Sequence, residues 1–195
     1  IGFEKNNSFG RNICKDINNK IIPIKSSDKT LEKNFINSIK KNKFKVTTDL
    51  KYIRDCSIII VSIGFDFYSK ESLKNILQLF RKVSSIIKKK SLLVVETTLP
   101  PGFSENRIIP ILNKKKKKNY VFSFERVMPG KNYYSSIINT TRVYSATNEY
   151  SKNKFKNFFS KVINVKKFPL SEISSISTCE LTKVLENSYR AMNIA

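Results

Sequence analysis

Apolar positions along the chain recur with two periods, one helical and one strand-like, and their order predicts the architecture. Ile1-Gly2-Phe3 is a short apolar strand that ends at Glu4. Phe9, Ile13 and Ile17 then follow at helical spacing, and Leu31, Phe35 and Ile39 make a second amphipathic stripe. Phe44 to Thr48 reads as a short strand, after which Asp49 caps a brief turn holding Tyr52 and Ile53. Ser57 to Ile63 is a β-branched apolar run, the composition of a strand buried on both faces of a parallel sheet, and Gly64 ends it. Leu73, Ile76, Leu77 and Phe80 predict a helix extended by Val83 and Ile87. Leu92 to Val95 predicts another buried strand, closed by the breaker Pro100-Pro101-Gly102. Ile108, Ile109 and Leu112 predict a helix, and Tyr120-Val121-Phe122 a further strand.

After Gly130 the pattern gives a strand at Arg142-Val143-Tyr144, a helix with Phe155, Phe158 and Phe159, and a strand at Val162 to Val165. A last helix runs from about Ser177 to Ala195. Strands alternating with helices predict an α/β fold, a doubly wound parallel sheet of Rossmann type. Such a sheet opens with a strand and a G-x-G-x-x-G turn, then a second strand ending in an acid that holds ribose hydroxyls. No such glycine turn occurs here, and the first strand already ends in Glu4. The expectation is therefore an internal fragment: an incomplete sheet lacking its first strand and glycine loop.

Composition narrows the chemistry. The net charge is +22, with no His and no Trp. Without His, His-ligated metal sites and imidazole acid–base steps are excluded, and no metal site is expected. Cys14, Cys56 and Cys179 are far apart and odd in number, so neither a disulfide framework nor a CxxC knuckle is present, which fits a reduced, cytoplasmic setting. No apolar run approaches the roughly 20 residues of a membrane span. The charge comes from 30 Lys against 7 Arg, beside 20 Asn and 25 Ile, a bias that A/T-rich codons produce without any binding role. The runs 88–90 and 114–118 lack interleaved aromatics and follow apolar-periodic segments, as solvated helix ends do. The competing reading of the same lysines is a basic nucleic-acid-binding module, whose affinity would fall steeply with salt.

Three stretches carry candidate chemistry. In the last helix Glu180, Lys183 and Asn187 fall on one face, and a carboxylate, an ammonium and a carboxamide there suit a polar, anionic substrate; the plainer alternative is an exposed ion pair. Glu96-Thr97-Thr98-Leu99-Pro100-Pro101-Gly102 directly follows a buried strand, where ligands of open α/β sheets lie, though Pro and Gly alone also make a turn. Phe122-Ser123-Phe124-Glu125-Arg126-Val127-Met128-Pro129-Gly130 places a charged pair after another strand, where a carboxylate can activate water or simply face solvent.

Together, and in this order, these stretches resemble the UDP-glucose/GDP-mannose dehydrogenase family of NAD-dependent nucleotide-sugar 6-dehydrogenases. Thr97 to Gly102 resembles its STVPPG turn, Phe124 to Gly130 its PERVMPG segment, and Glu180 to Lys183 with Glu186-Asn187 its ELTK…EN helix start. The resemblance spans Ile1 to Ala195. It implies a partial NAD-binding Rossmann domain at 1–170, followed at 171–195 by the start of the long interdomain helix. It also implies cofactor contacts at Glu4, Ser62, Ile63, Gly64, Thr97, Thr98 and Leu99. The usual Pro-Thr-Pro beside the cofactor is replaced by Ile63-Gly64-Phe65-Asp66.

The implied catalytic groups are Glu125, Lys183, Asn187 and Thr98. The implied substrate site adds Arg126, Val127 and Met128 to Glu125, Lys183 and Asn187. In members with PEFLxEG a second glutamate contacts the cofactor; Pro129 occupies that position, so the role is not carried over. Phe124 replaces the usual proline before the catalytic glutamate. The implied reaction oxidises C6 of a UDP-sugar twice, with NAD as acceptor, through a thiohemiacetal and a thioester on a cysteine. Cys179 does not match that cysteine and reads as a small packed residue. The implied partners are a UDP-sugar and a second copy in a homodimer or higher homo-oligomer, with no nucleic acid and no membrane. The 195 residues alone are expected not to turn over. A nearer alternative is a hydroxyacid dehydrogenase of the 6-phosphogluconate type, which also uses a lysine and an asparagine on a helix but lacks the PERVMPG segment.

Overall fold

The structure, a computed structural model, describes residues 1–23, 27–128 and 130–194. In chain order its elements are β1 (Gly2–Phe3), α1 (Ser8–Asn18), α2 (Lys29–Lys40), β2 (Val46–Thr47), β3 (Ile58–Val61), α3 (Lys70–Ile86) and β4 (Leu92–Val95). There follow α4 (Ile109–Lys114), β5 (Tyr120–Phe124), α5 (Tyr133–Ile138), β6 (Arg142–Ala146), α6 (Glu149–Phe159), β7 (Leu170–Glu172) and α7 (Ile176–Ile194). A 3-10 turn covers Leu50–Asp55, and a π turn, Ser104–Ile108, leads into α4. The residues group into two compact units: Ile1–Tyr52 with Arg126–Ile138, and Ile53–Glu125 with Asn139–Ala195.

In the first unit β1 and β2 pair in parallel, Gly2 opposite Val46 and Phe3 opposite Thr47. Cys14, Ile17 and Val46 form its core, with Ile13, Phe35, Ile39 and Phe44 packed around them. Phe9, expected on the buried stripe of α1, is 70% exposed, and Gly10, Cys14 and Ile17 face inward instead. The cause is local. Gly10 sits so close to the carbonyl of Lys5 that a side chain there would collide with it. Helix α5, which the sequence pattern did not reveal, is tied to the N-terminus of α2 by Asp28. One Asp28 oxygen accepts N–H bonds from Thr30 and Leu31 (2.9 and 3.2 Å), and the other accepts that of Tyr134 at 2.8 Å.

The second unit holds a five-stranded sheet of order β3-β4-β5-β6-β7. Strands β3, β4 and β5 are parallel, with Val61 opposite Val95 and Val95 opposite Phe122. β6 runs antiparallel to β5, Phe124 opposite Val143, and β7 lies parallel to β6. The sheet is thus mixed, with its parallel part where the apolar runs predicted it. One face packs Leu92, Val94, Val121 and Tyr144 against Phe155, Phe159 and Ile163 of the α6 region. Alternation puts Tyr120, Phe122 and Phe124 on the opposite face, against which α7 lies, with Lys183 over the Phe124 ring. Helices on both faces make the sheet doubly wound.

Two further expectations are corrected. The strand predicted at Val162 to Val165 is a run of turns, and the strand comes later, at β7. Ile163 donates its N–H to Phe159 and Val165 donates to Ile163, both at 2.8 Å, so these β-branched residues prolong the end of α6 and only Ile163 is buried. β3 is not buried on both faces either: Ile59 and Val61 are buried, but Ile60 is 41% exposed because β3 is an edge of this sheet. β4, second in the same sheet, is buried at every residue.

Candidate functional site

The parallel strands bring several candidate residues to one rim. Ser62, Ile63 and Gly64 leave β3 exposed, and a Cβ at Gly64 would meet nothing within 4 Å. Thr97, buried just after β4, clasps this loop: its Oγ1 accepts the N–H of Ile63 and donates to the carbonyl of Ile63, each at 3.0 Å. Leu99 is buried in the core. Thr98 lies between these two anchors with its side chain exposed. Of the three adjacent residues, Thr97 and Leu99 fix the backbone and Thr98 presents its hydroxyl.

At the end of β5, Glu125 is half-buried, and its carbonyl accepts a hydrogen bond from Lys183 Nζ at 2.9 Å. The Lys183 ammonium also lies 5.4 Å from the centre of the Phe124 ring. Lys183 is only 6% exposed, yet among the described residues its partners are that neutral carbonyl and that ring, with no carboxylate in ion-pair range. A buried cation without a counter-charge is costly, and such a site favours an incoming oxygen that carries negative charge. Asn187 stands one turn further along the same face of α7 and is exposed.

Glu180, which spacing put on that same stripe as a candidate anion, does not join it. It is wholly buried, and its carboxylate accepts the N–H of Gly102 (2.6 Å), the N–H of Ser104 (2.9 Å) and the hydroxyl of Ser104 (2.6 Å). Burial pushes its carboxyl above the ordinary range, against the pull of these donors. The glutamate therefore docks α7 onto the turn after β4. Cys179 is packed, as the sequence reading has it, and burial, with the Glu180 charge, raises its thiol to about 12, which keeps it protonated and inert.

An ion pair that the sequence reading missed lies beside Glu125. Arg142 Nη1 meets Glu96 Oε1 at 2.9 Å, and both side chains are nearly buried. Burial pushes the Glu96 carboxyl up; the Arg142 charge opposes this and the Glu125 charge adds to it. Arg142 also stacks over the Phe159 ring at 5.2 Å. The available signal was an arginine opening the run Arg142-Val143-Tyr144.

The remaining candidates belong to the first unit. Glu4 follows β1, half-buried, with its N–H on the Thr47 carbonyl at 3.1 Å. Arg126 and Val127 are half-buried; Met128 is exposed, and its N–H donates to Ser136 Oγ at 3.0 Å. Pro129 lies outside the described residues.

A sequence model described as the NAD binding domain of the UDP-glucose/GDP-mannose dehydrogenase family matches residues 11–163. The chain belongs to this family. Within it, the chain is 29% identical over 189 residues to the UDP-N-acetyl-D-mannosamine dehydrogenase of Methanocaldococcus jannaschii, covering 92% of this chain and 43% of that protein. It is 32% identical over 146 residues to the protein of the same name from Methanococcus vannielii, covering 72% and 32%. The NDP-N-acetyl-D-galactosaminuronic acid dehydrogenase of Methanosarcina mazei superposes with a TM-score of 0.83 at 23% identity, over 97% of this chain and 41% of that one. The chain spans less than half the length of these relatives. The matched domain is one that binds NAD, and the residues at the β3 and β4 ends suit such a group, with an open Gly64 backbone and exposed hydroxyl residues, Ser62 and Thr98, in the two loops that Thr97 ties together. Among the described residues no helix is long and apolar enough to cross a membrane.

Proposed function

We propose that the chain is the cofactor-binding part of a nucleotide-sugar 6-dehydrogenase that oxidises the C6 hydroxyl of a UDP-sugar to the uronic acid, supplying precursors for polysaccharides or glycans. The observation that carries this reading is Lys183: a buried ammonium, aimed from α7 at the end of β5, with no carboxylate in ion-pair range among the described residues. The names of the relatives, for UDP-N-acetylated hexosamines, support a UDP-sugar as substrate. Residues 1–170 act as the partial NAD-binding domain, and 171–195 begin the interdomain helix.

NAD, when bound, would supply the acceptor for each of the two hydrides that leave C6, one in each oxidation. Every other role falls to side chains. Lys183 and Asn187 hold the C6 oxygen as it gains negative charge, and a well-placed donor of this kind contributes roughly 3–4 kcal/mol to the transition state. Glu125 takes a proton from the water that releases the uronic acid, and the Thr98 hydroxyl holds that water. Arg126, Val127 and Met128 line the sugar-nucleotide site. Glu4 binds the adenosine ribose, while Ser62, Ile63, Gly64, Thr97 and Leu99 flank the cofactor. The full-length protein works in the cytoplasm as a homodimer or higher homo-oligomer, without nucleic acid or membrane. In support, Lys88 pairs with Asp55 at 2.7 Å, and both lysine runs follow the ends of helices, as solvated caps do.

Lys183→Met in the full-length protein tests the reading by NADH production on a panel of UDP-sugars. Loss of turnover by about a hundredfold or more is expected; undiminished turnover overturns the assignment.

A further inference from the structure

The Glu96–Arg142 pair is buried, polar and unused by the chemistry above. Its place in the sheet is specific. β5 is flanked by β4, which ends just before Glu96, and by β6, which begins at Arg142. The antiparallel register sets Phe124 opposite Val143, so the next rung sets Glu125 opposite Arg142. The parallel register sets Val95 opposite Phe122, which brings Glu96 level with Ser123. Glu96 and Arg142 therefore join hands across the last residues of β5, on the α6 face, where Arg142 is held over Phe159. The neighbouring groups are tied down too: Ser123 Oγ donates to the Val143 carbonyl at 2.9 Å, and Lys183 holds the Glu125 carbonyl from α7.

We propose that Arg142 and Glu96 form the positioning pair for Glu125: their ion pair fixes the point at which β5 releases Glu125 and balances one negative charge beside its carboxylate. The inference rests on the role given to Glu125 above. Neither residue need touch substrate. A near-buried ion pair is a poor source of stability compared with packed apolar groups, which makes its presence at this rim a matter of geometry and charge. Among the described residues, the charge of Glu96, just after β4, acts together with that of Glu125, Arg142 of β6 stands on the rung opposite it, and Lys183 of α7 holds its carbonyl.

Three variants of the full-length protein test it: Arg142→Met, Arg142→Lys and Glu96→Gln, each with kcat, KM, a pH–rate profile and the folded fraction. In Arg142→Met kcat is expected to fall between about ten- and a hundredfold, the effect of a misplaced catalytic group, with KM and folded fraction held. Arg142→Lys restores part of it. Glu96→Gln preserves side-chain size but leaves the Arg142 charge unbalanced, so the acid limb of the profile moves to lower pH. Folded variants with unchanged kcat and an unmoved profile overturn the proposal, as does a loss that merely follows the folded fraction. If Arg142→Met does not fold, Glu96→Gln decides. If the unsubstituted protein oxidises no UDP-sugar, the functional reading fails. The pair is then judged by the backbone carbonyl resonance of Glu125, which must shift in Glu96→Gln while the folded fraction holds; an unmoved resonance overturns the proposal.

Discussion

Glu180 and Gly102, 78 residues apart, are joined by a 2.6 Å hydrogen bond from the glycine N–H to the buried carboxylate. Ser104 adds two more donors, so one side chain fastens the start of α7 to the turn that follows Thr97 and Thr98. Replacing it disturbs the rim and the helix that carries Lys183 together. Glu180→Gln leaves buried donors without a full set of acceptors, a loss of roughly 1–3 kcal/mol. The pH dependence has a definite sign. Burial raises the folded carboxyl above 4.5, so its stabilising effect is complete below that value and declines as the pH rises through the folded pKa. Urea denaturation across pH should therefore show the advantage of the native protein over Glu180→Gln shrinking toward neutrality. An advantage that grows with pH contradicts the account.

Gly102 itself has φ of +80°, and a Cβ there would lie 3.1 Å from Asn106 Nδ2. Gly102→Ala combines left-handed strain with a tight contact, and a destabilisation of about 1–2 kcal/mol is expected from thermal unfolding. A neutral substitution would show that the turn relaxes without the glycine.

Asp28 shows the opposite sign. The Tyr134 N–H, helped by those of Leu31 and Thr30, holds its carboxyl below 3.8. The stability it gives is present above that value and is lost as the pH falls through the lower, folded pKa. The gap in stability between the native chain and Asp28→Asn should therefore close in acid. A gap that persists at the lowest accessible pH excludes the carboxylate charge as its source.

Leu181, Leu185, Tyr189 and Met192 form an exposed apolar stripe along α7, at spacings of one helical turn. If a second copy covers this stripe, Leu185→Glu combined with Tyr189→Glu yields monomers in sedimentation. An unchanged molecular mass removes the stripe from the dimer.

The apolar runs at β3, β4 and β5, the stripe of α3 and the final helix were legible because strand and helix periods are local properties. Thr98 and Glu125 were legible as residues that follow buried strands, and Lys183 as a residue of the last helix, for the same local reason. Three features were not legible. α5 is short and carries no long stripe, since Asp28, more than a hundred residues away in sequence, anchors its first turn. Glu180 looked like an exposed partner for Lys183, because spacing reports a face and not what covers it. Arg142 and Glu96 are distant in sequence and meet only through the order of strands. Val162 to Val165 misled by composition alone, as β-branched residues there complete a helix end rather than a ladder.

The reversal of β6 has a consequence for the segment between β5 and β6. Because side chains alternate from face to face along a strand, a slip of one rung would swing Arg142 away from Glu96 and carry it to the side occupied by Lys183. Two cations would then crowd one side while a glutamate was left stranded on the other. Insertions or deletions that alter this pairing are therefore expected to be penalised even where they touch no residue of the rim.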